Sequence, residues 1–297
     1  MSARASFPLR REAGERVPSE ARGERWEAVG ASESSAQSTA SHLPLPPSPA
    51  ARRRGNFAYT AEDHNTWRFL FERQARLLRG RACEQFLAGV DKLGIAADGI
   101  PDLDRLSRVL ARSTGWRLVP VQGLVPDEVF FAHLAARQFP VTWWIRQPEQ
   151  MDYLQEPDVF HDFFGHVPLL IDPVFADYMQ AYGQGGLKAQ GLDALPYLAR
   201  LYWYTVEFGL IRTADGLRIY GSGILSSKTE SIYGLESPEP ARRPFDLMRI
   251  MRTRYRIDDV QACYFVIDSF AQLFEATRPD FTPYYAELKQ LPEFAPG

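Results

Sequence analysis

Two histidines and one glutamate are placed as if to hold a metal. The stretch Glu156-Pro157-Asp158-Val159-Phe160-His161-Asp162-Phe163-Phe164-Gly165-His166-Val167-Pro168 holds two of the chain's five histidines. Its surroundings are strongly apolar, where an imidazole is costly unless its polar atoms are satisfied. Two neutral imidazoles held together suit a borderline divalent metal. Further on, Glu207 is the one carboxylate in the run Leu201-Tyr202-Trp203-Tyr204-Thr205-Val206-Glu207-Phe208-Gly209-Leu210, which contains no Lys or Arg. A buried carboxylate needs a cation, a proton or a metal. Two His and one carboxylate form the facial triad of non-haem Fe(II) oxygenases, which leaves coordination positions open. A hydrolytic zinc site uses the same donors, so ligand types alone leave the metal undecided.

The elements that would position these residues read as mostly helical. Pro157 suits the first turn of a helix. Gly165 suits a left-handed C-cap, and Pro168 forbids continuation. In an unbroken α-helix, residues five apart point about 140° away from each other. A chain reversal at Gly165 is therefore expected to bring His161 and His166 together. Upstream, apolar residues at helical spacing predict helices over Glu62–Leu78, Cys83–Leu93 with Gly94 as the stop, and Asp102–Ser113. Trp116–Val121 and Phe139–Ile145 read as strands, and Asp127 is placed to cap a helix running through Leu134. Helices are also expected over Val159–Phe164, Pro173–Gly183 and Leu192–Phe208. Gly209–Arg212 and Leu217–Tyr220 flank Thr213-Ala214-Asp215-Gly216, a strong hairpin signal. Asp268–Ala276 reads as the last helix. The expected fold class is mainly α with a few short β-strands.

Composition narrows the function classes. The formal net charge of −3 lacks the basic excess of a nucleic-acid binder. No run approaches the 18 or so apolar residues of a membrane span. Cys83 and Cys263 lie far apart and outside any CxxC pair, so a disulfide scaffold is not expected and two reduced thiols in a cytoplasmic protein are. Residues 1–54 differ from the rest, being rich in Ser, Ala, Pro, Arg and Glu. Such a segment buries too little apolar surface to offset its ordering entropy. It is expected to be a disordered extension, with residues 55–297 as the catalytic domain.

At this point several stretches together resemble the pterin-dependent aromatic amino acid hydroxylases, in particular their compact bacterial members. They are Tyr153-Leu154-Gln155-Glu156-Pro157-Asp158, HDFFGHVPLL from His161 to Leu170, YWYTVEFGL from Tyr202 to Leu210, and YGSGILSSKTES from Tyr220 to Ser231. The likeness covers roughly residues 57–285. It implies a helical catalytic domain around Fe(II), with His161, His166 and Glu207 as the iron ligands. Gly123, Val125 and Phe130 fall in the family's pterin-binding region, Phe130 on the ring that stacks on the pterin, and Asp162 on its pterin-side carboxylate. Arg146 matches the residue that holds the substrate carboxylate, for which a guanidinium offers a bidentate fork. Trp203, Phe208 and Gly223 match positions lining the amino acid pocket. Ser226 matches a hydroxyl near substrate and iron ligands, and Glu230 a residue orienting groups near the pterin.

The activity so implied is conversion of L-phenylalanine to L-tyrosine with O2 and a tetrahydropterin. Hydroxylation of tryptophan or tyrosine is the alternative within the family, and a His2Glu zinc hydrolase the alternative outside it. Pterin-recycling enzymes are the expected partners, with no nucleic acid and no membrane. The chain ends soon after Tyr285, short of the tetramerisation helix of animal members, so a monomer is expected. Three departures from the animal pattern stand out. Asp162 replaces Glu, Leu154-Gln155 replaces Thr-Pro, and Thr229 replaces the Gly before Glu230.

Overall fold

The computed structural model describes residues 58–152, 156–257 and 259–296. The expected N-terminal extension, and the Tyr153-Leu154-Gln155 part of the first resembling stretch, lie outside the described residues. The chain opens with α1 (Ala61–Leu77), started by a reciprocal capping box between Thr60 and Asp63. Trp67 and Leu70 face the core, and the buried Gln74 amide donates to the Leu225 carbonyl at 2.7 Å. Next comes α2 (Glu84–Leu93), which stops at Gly94 in the left-handed conformation, φ 58°, as expected. The following helix, α3 (Leu103–Ser113), is capped by Asp102, whose side chain accepts from the Arg105 amide. Strands β1 (Arg117–Val121) and β2 (Gln138–Thr142) pair in parallel, with α4 (Asp127–Ala135) as their crossover. The cap of α4 is Pro126, which makes Asp127 its first helical residue, where a carboxylate favours the helix dipole rather than capping it.

After two turns of irregular helix the chain enters α5 (Pro173–Gln190), begun by Asp172 capping the Phe175 amide. It runs well past Gly183, where the sequence suggested a stop. Gly183 and Gly186 serve close packing instead. A Cβ on Gly183 would lie 2.4 Å from the Ala135 amide nitrogen, and one on Gly186 would lie 1.9 Å from the Phe131 ring. The small residues thus let α4 lie directly on α5.

The remaining helices surround a four-stranded sheet of order β4-β3-β6-β5. First α6 (Leu195–Tyr202) leads into the hairpin of β3 (Gly209–Thr213) and β4 (Gly216–Ile219), turning at Gly216 with φ 106°. Then follow α7 (Ser222–Leu225), α8 (Lys228–Glu236), β5 (Ala241–Pro244), α9 (Leu247–Arg252), β6 (Cys263–Ile267), α10 (Phe270–Thr277) and α11 (Thr282–Leu288). Both β5 and β3 pair with β6 in parallel. The sequence reading missed α7, α8, β5, α9, β6 and α11. Ala-Arg-Arg-Pro carries no strand pattern, and it becomes β5 only because the fully buried Cys-Tyr-Phe-Val-Ile of β6 offers it a ladder.

The core is aromatic. Trp67, Trp116, Tyr178, Tyr202, Tyr204, Tyr220, Tyr264 and Phe130 are all fully buried. Each such ring contributes roughly 1.5–3 kcal/mol by leaving water, and the polar tips of Trp67, Trp116, Tyr178, Tyr204 and Tyr264 reach partners across elements. Trp116 Nε1 donates to the Ala176 carbonyl and Tyr204 Oη to that of Arg254. Among the described residues, no helix is long and apolar enough to cross a membrane. Mostly helical with a few short strands is the fold class read from the sequence.

Candidate metal centre

Two π-helical segments carry the three expected ligands. His161–His166 is one, and Trp203–Glu207, continuing α6, is the other. In each, an i→i+5 bond closes the turn. The Val167 amide reaches the Asp162 carbonyl, and the Phe208 amide reaches that of Trp203 at 2.8 Å. Such wide turns put residues five apart on one face, and they recur at functional sites. This corrects the expected reversal at Gly165. The chain there has no positive φ, and the π turn itself aligns the rings. Gly165 instead admits a neighbour, since a Cβ on it would lie 2.9 Å from the Ser222 carbonyl oxygen.

The rings of His161 and His166 meet edge to face at 4.8 Å, with their Nε2 atoms 3.0 Å apart. Glu207 closes the group. Its Oε1 lies 3.1 Å from His166 Nε2, and its Oε2 lies 3.7 Å from His161 Nε2. The His161 tautomer follows from the hydroxyl network. Ser226 Oγ gives its one proton to the Ser222 carbonyl at 2.8 Å, so it accepts from His161 Nδ1–H at 2.9 Å. The Nε2 lone pair of His161 then points at His166 and Glu207. Burial alone would raise the Glu207 carboxyl. The His166 and His161 rings and the Ser222 hydroxyl outweigh it and hold the group at about 2. Two facing imidazole nitrogens and an ionised carboxylate, with His161 held from behind by Ser226 and Glu207 by Ser222, fit a divalent cation in both donor type and orientation.

A second carboxylate stands close by. One ligand atom each from His161, Asp162 and His166 lies within 4.8 Å of the others. Asp162 Oδ2, however, accepts from the Thr142 amide at 2.7 Å and the Thr142 hydroxyl at 2.8 Å. It ties the first π turn to β2, whereas both Glu207 oxygens face the rings.

Arg146 is buried beside this turn. It donates to Asp158 through its amide at 3.0 Å, Nε at 2.8 Å and Nη2 at 2.9 Å. Burial raises the Asp158 carboxyl, but the adjoining guanidinium outweighs this and holds it below the ordinary range. Asp158 also accepts the His161 amide at 2.9 Å. The side of the guanidinium fork formed by Nε and Nη2 is therefore taken, and a ligand carboxylate would meet the Nη1–Nη2 end.

Of the other expected residues, Gly223 lies against the Glu207 turn, where a Cβ would come 3.1 Å from the Glu207 carbonyl oxygen. Trp203 and Phe208 pack 4.7 Å apart, and a Cβ on Gly223 would touch the Phe208 ring at 2.9 Å. Gly123 borders open space, and Val125 is half-buried against the core. Phe130 is fully buried, edge-on to Phe131 and Tyr202. A ring so enclosed stacks on a ligand only after its neighbours move. Glu230 sits on α8. It accepts the Gln261 amide at 3.0 Å and the Tyr264 hydroxyl, and Gln261 Oε1 in turn accepts Trp203 Nε1–H at 2.9 Å.

Sequence reasoning missed Asp158, Thr142, Ser222 and Gln261. Asp158 lies three residues before His161, and Ser222 lies four before Ser226. Those spacings were legible, but the partners come from elements distant in sequence.

The sequence pattern of the biopterin-dependent aromatic amino acid hydroxylases matches residues 52–290. The chain belongs to that family. This hydroxylase is 68% identical over 239 residues to the phenylalanine-4-hydroxylase of Ralstonia nicotianae, covering 80% of this chain and 76% of that protein. It is 64% identical to that of Chromobacterium violaceum, covering 80% of each. The iron- and phenylalanine-bound crystal structure of the Chromobacterium violaceum enzyme superposes with a TM-score of 0.77 at 62% identity, covering 80% of this chain and 87% of that one. A structure of the same enzyme with iron(III) and 7,8-dihydrobiopterin gives 0.78 at 57% identity, covering 86% and 97%.

Proposed function

We propose that this hydroxylase is a phenylalanine 4-monooxygenase, converting L-phenylalanine to L-tyrosine. The observation that carries the reading is the convergence of His161, His166 and Glu207, with Arg146 fixed through Asp158 on the turn that begins the first ligand segment. His161 Nε2, His166 Nε2 and Glu207 would hold the iron, with Asp162 retained by Thr142. Iron and tetrahydropterin, when bound, supply the electrons and the O2 activation that no side chain provides.

The chain's own part is placement. Arg146 offers its free end to the amino acid carboxylate, which fixes the reach of the side chain from that point. Trp203 and Phe208 form an apolar wall that lies against the aromatic ring and excludes water. Trp203 is itself fixed by stacking on Tyr255 at 4.4 Å and by its bond to Gln261. Positioning of this kind removes much of the entropic barrier to reaction. A zinc hydrolase would need a general base beside the metal water, and the nearest candidate, Asp162, has its Oδ2 held by two bonds from Thr142.

The same reading makes 55–297 the catalytic domain and 1–54 an extension. It also places a monomer in the cytoplasm, supplied by enzymes that restore the oxidised pterin. The test is to incubate the Fe(II)-loaded protein with L-phenylalanine, tetrahydrobiopterin and O2. Tyrosine should form in proportion to pterin oxidised and cease on chelation. Pterin oxidation with tryptophan but not phenylalanine hydroxylated would move the substrate assignment.

A further inference from the structure

The Ser222 hydroxyl sits among the ligands without being one of the expected set. Its Oγ lies 2.8 Å from Glu207 Oε2, 3.1 Å from the Val206 carbonyl and 3.1 Å from His166 Nε2. A hydroxyl has one proton to give. The carboxylate takes it, since a bond to an anion is shorter and roughly twice as strong as one to a neutral carbonyl, and the distances rank the same way.

Ser222 cannot drift from this place. It is buried at the start of α7, and its carbonyl accepts Ser226 Oγ. Its backbone lies against Gly165, where a Cβ would come within 2.9 Å. Through one residue, α7 thus contacts both π turns. It reaches His161 by way of Ser226 and Glu207 by way of the Ser222 hydroxyl.

We infer that Ser222 is a positioning residue that decides which oxygen of Glu207 is presented to the metal. Oε2 is held by Ser222, and Oε1 is the oxygen offered beside His166 Nε2. A two-oxygen hold would occupy a further coordination position, and the Ser222 proton on Oε2 weakens that oxygen as a second donor. The hydroxyl therefore keeps one position of the metal open for the reactants. This rests on the reading of His161, His166 and Glu207 as the ligands.

The test uses Co(II) as the probe, on the full chain without substrate. Wild-type protein and Ser222→Ala are titrated with Co(II), their visible spectra recorded, and the metal-free forms unfolded by heat. The variant should bind Co(II) roughly tenfold or more weakly, the usual effect of losing a residue that orients a ligand. Its Co(II) bands should change in position and intensity, because they follow coordination number, while the metal-free forms unfold alike. An unchanged affinity and spectrum would overturn the inference. So would a loss of metal-free stability with the spectrum intact. Should Ser222→Ala fail to fold, Ser222→Gly removes the same hydroxyl and carries the same measurements. Failure of the wild type to bind Co(II) would instead overturn the ligand reading on which the inference rests.

Discussion

Asp158 grips Arg146 and His161 at once. Three donors of Arg146 and the His161 amide converge on its two oxygens, at 2.8–3.0 Å. One carboxylate thus sets both the guanidinium and the turn that begins the first ligand segment.

Asp158→Ala should therefore act on stability and on substrate binding together. Removing one partner of a buried ion pair costs about 3–5 kcal/mol. Urea unfolding should show a loss of that order, and KM for phenylalanine should rise more than kcat falls. A stability change under about 1 kcal/mol, the range of exposed pairs, with unchanged KM would contradict the link.

Glu207 and Asp162 should separate cleanly. Glu207→Ala should abolish stoichiometric iron binding, read by metal analysis, while the circular dichroism spectrum stays that of the folded chain. Asp162→Ala should keep the iron but lose about 1–3 kcal/mol of stability, because the buried Thr142 amide loses its acceptor. The reverse pattern would assign the carboxylate ligand to Asp162.

These two carboxylates also show what the sequence could and could not say. His161, His166 and Glu207 were readable as candidate ligands from residue type and apolar context, and most helices from periodicity. How the histidines meet was not readable. A π turn differs from an α turn by one residue in its hydrogen bonding, and no residue in the stretch announces it. Nor was the fate of Asp162 readable, since it depends on β2 bringing Thr142 alongside. Arg146 was legible only through resemblance. Its partner Asp158 was in plain view twelve residues on, but burial, which makes the pair matter, is a property of the fold. The edge strand β5 fails for the same reason, having no pattern of its own.

Cys83 gives a pH dependence. Burial pushes its thiol from 9.0 to about 12. Below pH 9 both folded and unfolded chains keep the proton, and the contribution to stability is full. Between those values the unfolded chain loses the proton while the folded chain holds it. Stability therefore falls as pH rises, by about 1.4 kcal/mol per pH unit for one group. Tyr178, Tyr182 and Tyr220 are also raised by burial and steepen the loss above 10.0. Urea midpoints measured from neutral to strongly alkaline pH should fall along this course. A flat profile would show that these groups are not sequestered. In the same sense, Ellman's reagent should leave Cys83 and Cys263 unmodified until the chain unfolds.

The C-terminal tail straps α9 to α6. Phe294 lies under the guanidinium groups of Arg249 and Arg252, at 3.3 and 4.3 Å, and bridges to Thr253 by backbone. Glu293 meets Arg200 at 2.5 Å, on the helix that continues into the Glu207 turn. Phe294→Ala should cost about 1–3 kcal/mol, from lost packing and cation–π contacts together. Thermal unfolding measures it, and an unchanged midpoint would remove the strap from the account.

The most direct test of the centre is a crystal structure of the protein loaded with iron, with an anomalous map at the iron edge. The account predicts one peak bonded to His161 Nε2, His166 Nε2 and Glu207 Oε1, with Asp162 still on Thr142 and Ser222 still on Oε2. A peak bonded to Asp162, or one placed away from the two rings, would contradict it.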